Sequence, residues 1–198
     1  MEQKVTVSKE NKEIAQYVTN KVGFNTTVQR YKDESNENYL DIYASDTSDE
    51  DVKFYGTIGL SDYPNIIEIN GEDTNVPVEL LMAGNKTYDK IPSILATCGF
   101  NMAKEKWICQ PGAVFLHMID LYYEKEMRHL LFIPPYKWNS SLEPLELADK
   151  TVNWLLAVPI SEPELQYRLE HGFNALSLLF EENSVDMFDW DRKSMLAV

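Results

Sequence analysis

Cysteine, glycine and histidine are scarce in this chain of 198 residues, and acids outnumber bases by 32 to 18. Two cysteines, Cys98 and Cys109, cannot build a disulfide scaffold, and their spacing matches no CxxC pattern. They read as two reduced, buried thiols of a cytosolic protein. The three histidines, His117, His129 and His171, form neither an HExxH nor an HxH arrangement, so neither a metal nor any other cofactor is expected. No apolar run approaches the roughly 18 residues a spanning helix needs, residues 154–158 being among the longest. The opening MEQKVTVSKENKEIAQ lacks the apolar centre of a signal peptide, so a cytoplasmic location is expected.

An apolar content of 44% and an aromatic content of 12% indicate a folded protein despite a net charge of −14. At this length folding buries roughly 70% of the unfolded chain's surface, enough for one domain spanning residues 1–198. The charge is concentrated. Residues 31–75 carry 12 acids against 2 bases, and residues 141–191 carry 11 against 2. Such a field repels the phosphates of nucleic acid and steers a basic partner. Acidity that serves only solubility is the plainer alternative.

Periodicity sets out the elements. Ser8 caps a first helix in which Ile14, Val18 and Val22 share a face, and Gly23 ends it. Residues 26–31, 39–44 and 53–60 read as strands, the last two joined as a hairpin across the acidic turn 45–51. Strands are also expected at 66–69, closed by Asn70-Gly71, and at 78–82, with a helix over 88–104. Residues 129–133 and 151–158 are further strands, stopped by Pro134 and Pro159. Ser161-Glu162-Pro163-Glu164 is a capping box opening a helix with Leu165, Leu169, Phe173, Leu176 and Phe180 on one face. Strands and helices cluster rather than alternate. The fold class expected is α+β, with a mainly antiparallel or mixed sheet flanked by helices.

Catalytic motifs are missing. Gly56-Thr57-Ile58-Gly59 has no GK[ST] and reads as a strand with a close backbone approach. Acids 46–51 lack the central glycine and terminal Glu of a calcium loop. His117, Asp120 and His129 are the one set that a metal-dependent hydrolase could use. No enzyme is expected. Of four tryptophans, Trp154 belongs in the core, and Trp138 lies in a proline-bounded segment that should reach the surface. Trp190 is flanked by acids, which suits either an interface anchor or a tail docked on its own domain. The candidate partner-binding residues are Asp46, Asp49, Glu50 and Asp51 in the turn, with Glu181, Glu182, Asp186, Asp189, Trp190 and Asp191 near the C-terminus.

The segments 55–64 (YGTIGLSDYP), 78–82 (VELLM) and 154–164 (WLLAVPISEPE), in that order, resemble the suppressor-of-fused (SUFU-like) family over residues 10–180, leaving an acidic, aromatic segment 181–198. The resemblance implies one α+β domain without a catalytic centre. Animal members of that family regulate a transcription factor by binding it. Small bacterial members look like immunity proteins, the antitoxin partners of LXG-type toxins. The expected function is therefore an immunity protein that occludes the active site of a basic toxin, a nuclease in the leading reading. The alternative is a regulatory module that sequesters an endogenous protein such as a transcription factor. No direct contact with nucleic acid or membrane is expected. The family offers no catalytic residues to transfer.

Overall fold

The chain opens with helix α1 (Lys9–Lys21), whose cap is Ser8, its side chain accepting the Asn11 N–H at 3.0 Å. Strands β1 (Phe24–Lys32), β2 (Tyr39–Asp46) and β3 (Val52–Ile58) follow, then one 3-10 turn at Leu60–Asp62. A separate hairpin, β4 (Ile66–Ile69) and β5 (Glu72–Asn75), leads to β6 (Val78–Asn85) and helix α2 (Ile91–Glu105). After β7 (Val114–Phe115), β8 (Met127–Ile133) and β9 (Leu145–Glu146) comes the long β10 (Thr151–Ser161), followed by α3 (Glu162–His171) and α4 (Phe173–Glu182). The structure, a computed structural model, describes residues 7–135 and 142–196, so Trp138 lies outside the described residues.

One mixed sheet runs in the order β1-β2-β3-β6-β10-β8-β7, with β9 pairing beside β10. Among the described residues only β6 and β10 are parallel neighbours, Val78 opposite Asn153 through Leu81 opposite Leu156. Successive side chains on a strand alternate between faces, and here they feed two cores. Leu80, Met82, Leu155, Ala157, Leu130 and Phe132 pack against Ile91, Ile94 and Leu95 of α2. Leu81, Ala83, Leu156, Val158 and Leu131 pack on the opposite side with Ile14 and Val18 of α1, Leu165 of α3 and Leu176 and Phe180 of α4. This is the α+β sandwich of helices on a mixed sheet that the pattern implied.

The two-residue strands β7 and β9 were not expected, and three further elements differ from the periodicity. The helix opened by Ser161 is two helices, because Gly172 stands at φ 86°, ψ 168°, a conformation glycine reaches without a Cβ penalty. The chain turns there, and Leu169 is left 59% exposed instead of sharing a face with Leu176 and Phe180. Strand β10 also runs through Pro159 to Ser161. Pairing with β6 ends at Leu156, and beyond it the Pro159 carbonyl accepts a hydrogen bond from Arg192 at 3.0 Å. The missing N–H thus falls where no strand needs it. Finally, the short polar β5 carries no apolar alternation and pairs β4 across Asn70-Gly71.

The segments 55–64 and 78–82 meet at Glu79. Its carboxylate is fully buried and accepts from the Thr57 hydroxyl at 2.5 Å, the Ser61 hydroxyl at 2.8 Å, and the N–H groups of Gly59, Leu60 and Ser61 at 2.9, 3.2 and 3.1 Å. Gly59, at φ 94°, lets three successive N–H groups converge on one carboxylate. Burial pushes the Glu79 carboxyl above its ordinary range, and the donated hydrogen bonds oppose that shift. Close approach explains the other glycine of the motif: a Cβ on Gly56 would sit 2.3 Å from the Tyr43 ring. Glu79→Gln replaces one acceptor oxygen with an amide NH2 that faces other donors, so unfolding in urea should show a loss of roughly 2–4 kcal/mol at an unchanged m-value. A loss below about 0.5 kcal/mol would contradict this role.

Candidate partner-binding surface

The acidic turn between β2 and β3 is built, not slack. The Thr47 hydroxyl accepts the Asp49 N–H at 3.2 Å and lies 2.9 and 3.0 Å from the carbonyls of Asp49 and Val52. The Asp51 N–H donates to the Asp49 carboxylate at 3.0 Å. Bases next to the turn neutralise two of its four acids: Lys86 stands 3.5 Å from Asp51, and Lys53 stands 3.9 Å from Asp46. Asp49 and Glu50 are exposed and form no ion pair among the described residues.

Beyond α4 the chain folds back. The Val185 N–H donates to the Phe180 carbonyl at 3.0 Å, and the Phe188 and Asp191 N–H groups donate to the carboxylates of Asp186 and Asp189, both at 2.9 Å. These local turns leave Glu181, Glu182, Asp186 and Asp189 exposed, without an ion pair among the described residues. Segment 184–188 then faces the β2–β3 turn across a cleft of about 690 Å³. Asp49 and Asp186 both line it, with Lys21 at the end of α1, Val22 and Gly23 after it and Ala83 of β6 between them. Two acidic stretches more than 130 positions apart therefore share one concavity.

Trp190 does not belong to that surface. Its side chain is fully buried, stacked on Tyr88 at 5.0 Å between ring centroids, with the indole N–H donating to the Ala83 carbonyl at 3.2 Å. The ring rests on Gly84, where a Cβ would come within 3.0 Å of the indole nitrogen. Docking onto its own domain, not anchoring a partner, is what this tryptophan does. Asp191 is likewise engaged, by Lys125 and the Tyr88 hydroxyl, which hold its carboxyl below the usual range. Arg192 completes the tail as a fork onto buried Glu164, at 2.6 and 2.8 Å. Sequence reading credited Glu164 with the capping box alone. The box is present, and its carboxylate also holds the tail.

Residues 36–193 match the model of the suppressor of fused protein (SUFU) family. The chain belongs to the suppressor-of-fused family. It is 38% identical over 192 residues to immunity protein YqcF of Bacillus subtilis (strain 168), covering 96% of this chain and 99% of that one. A suppressor-of-fused homologue from Neisseria gonorrhoeae FA 1090 superposes with a TM-score of 0.71 at 16% identity, covering 96% of this chain and 98% of its own. Drosophila Suppressor of Fused superposes with a TM-score of 0.54 at 12% identity, and this chain spans about half its length. Two of the three segments that carry the resemblance, 55–64 and 78–82, are those joined by Glu79.

This suppressor-of-fused chain also brings together His117, Asp120 and His129. His117 Nδ1 pairs with Asp120 at 2.8 Å, and the two imidazoles stand 4.6 Å apart. Both nitrogens of buried His129 are committed. Nδ1 accepts the His117 backbone N–H at 2.9 Å, which leaves the proton on Nε2 to be donated to Glu162 at 2.9 Å. No lone pair is left for a metal, and no metal-binding cluster occurs among the described residues. Burial lowers the His129 pKa, partly opposed by Glu162. A histidine depressed in the fold supports stability above its unfolded pKa of about 6.5, and that support is lost as pH falls through the folded value. Between pH 7.5 and 5.5 the wild type should therefore lose more denaturation free energy than His129→Gln; equal losses would refute the assignment. Trp190→Ala should cost roughly 3–5 kcal/mol in the same measurement, as loss of a buried indole does, whereas an interface tryptophan would leave stability untouched.

Proposed function

We propose that this protein is an immunity protein that binds a cognate, basic protein toxin and neutralises it. One observation carries the reading: the acidic turn and the segment after α4 converge on a single cleft, and Asp49, Glu50, Glu181, Glu182, Asp186 and Asp189 carry no internal counter-ion among the described residues. Full-length similarity to an immunity protein supports it. Carboxylates held ready in a cleft accelerate capture of a cation-rich surface, and they occupy the place of phosphate if the toxin is a nuclease. Close charge pairs across another nuclease–inhibitor interface couple by roughly 1.5–7 kcal/mol, so a few acids suffice. Occlusion of the toxin's active site follows from that mode of capture.

The reading is non-catalytic. His117, Asp120 and His129, the residues a hydrolase would use, are spent on one another and on Glu162. No helix among the described residues is long and apolar enough to cross a membrane. An immunity protein of this kind acts in the cytoplasm of the cell that makes it.

Co-expression with the toxin encoded at the same locus should restore growth, and the pair should co-purify. Replacing Asp49, Glu50 and Asp51 with Asn, Gln and Asn should slow association by about tenfold at low salt and flatten its salt dependence. Stopped-flow binding over a range of ionic strength checks this. Kinetics identical to wild type would remove the turn from the interface.

A further inference from the structure

Segment 184–188 is a ridge with a depression on each side. Toward α1 lies the acidic cleft; toward α4 lies an apolar groove of about 640 Å³. Ser184 and Val185 line both. Leu131 and Ile133 of β8 and Val158 of β10 form the groove floor, and α4 supplies a wall that includes Phe173 and Leu178. Leu176 and Phe180 already fix α4 to the sheet, so the fold has no need of Leu178, which stands 57% exposed. Glu181 lines the groove, and Asp186 sits on the ridge beside it.

We propose that this groove docks a segment of the basic partner, which seats apolar side chains over Leu178 and Val158 and places Lys or Arg against Glu181 and Asp186. The inference rests on the reading that the partner is a basic protein. Charge complementarity selects the occupant. A fatty acid entering the groove would bring its carboxylate to Glu181, and an anionic membrane would meet a protein of net charge −14. An apolar centre with a charged rim is the anatomy of a protein interface, where desolvated apolar contacts slow dissociation and rim charges set association. The two depressions thus divide the work, the cleft for capture and the groove for retention.

Two experiments test this. In the first, methyl NMR spectra of the protein are titrated with an 18-residue amphipathic peptide of Leu and Lys, with an all-Lys peptide of equal length, and with oleate. Methyl signals of Ile133, Val158 and Leu178 should shift saturably with the Leu/Lys peptide alone. No shift with that peptide, or equal shifts with oleate, would overturn the groove assignment. In the second, Leu178→Asp and Ser177→Trp are measured against the toxin of the same locus, with melting curves to confirm folding. Each should raise the dissociation rate at least tenfold while association stays within twofold. Wild-type dissociation from both variants would overturn the groove and leave the immunity reading intact. Failure of the wild type to bind that toxin would overturn the immunity reading, and the peptide titration would then decide the groove by itself.

Discussion

A single buried carboxylate organises the centre of this molecule. Glu79 lies on β6, the strand that joins the antiparallel β1–β3 half of the sheet to β10. By collecting five donors from Thr57 and the turn that follows β3, it fixes where β3 stops and how β6 lies against it. The Leu80 N–H returns the connection by donating to the Thr57 hydroxyl at 2.8 Å. A charge in that position is tolerable only because every donor is aimed at it, and such a network loses more than one contact when any member is removed.

The rest of the architecture depends on that centre. With β6 placed, its odd and even residues reach opposite faces, and each face receives its own helices. The tail then crosses between the two layers. Phe188 packs with the α1, α3 and α4 side, Trp190 inserts on the α2 side, and Arg192 returns to Glu164. Bidentate pairing to a carboxylate that already caps α3 ties the last described residues to the start of a helix some thirty positions earlier.

Much of the fold was legible because it is local. The Ser8 cap, the Ser161 capping box, the strand at 39–44 and the hairpin across the acidic turn all appear as read. What escaped was set by distant partners. Nothing near Pro159 reveals that the pairing with β6 ends at Leu156, so the strand seemed to stop there. Acids around Trp190 left open whether its ring anchored a partner or docked on its own domain, and Gly84, more than a hundred residues away, provides the slot that buries it. Glu79 seemed unremarkable because its donors sit in another segment. The acidic residues were visible one by one, but the meeting of Asp49 and Asp186 across one cleft is a property of the folded sheet alone. The apolar groove had a faint signal, Leu178 lying off the inward face that Leu176 and Phe180 define.

The ridge at 184–188 has a consequence for the timing of assembly. Every surface it closes against, from Val22 to Ala83 and Val158, is synthesised before it. A nascent chain halted short of Ser184 already displays the acidic turn, yet it has neither a cleft wall nor a groove rim. Both depressions are therefore completed only by the final stretch of polypeptide, once it lies over the sheet.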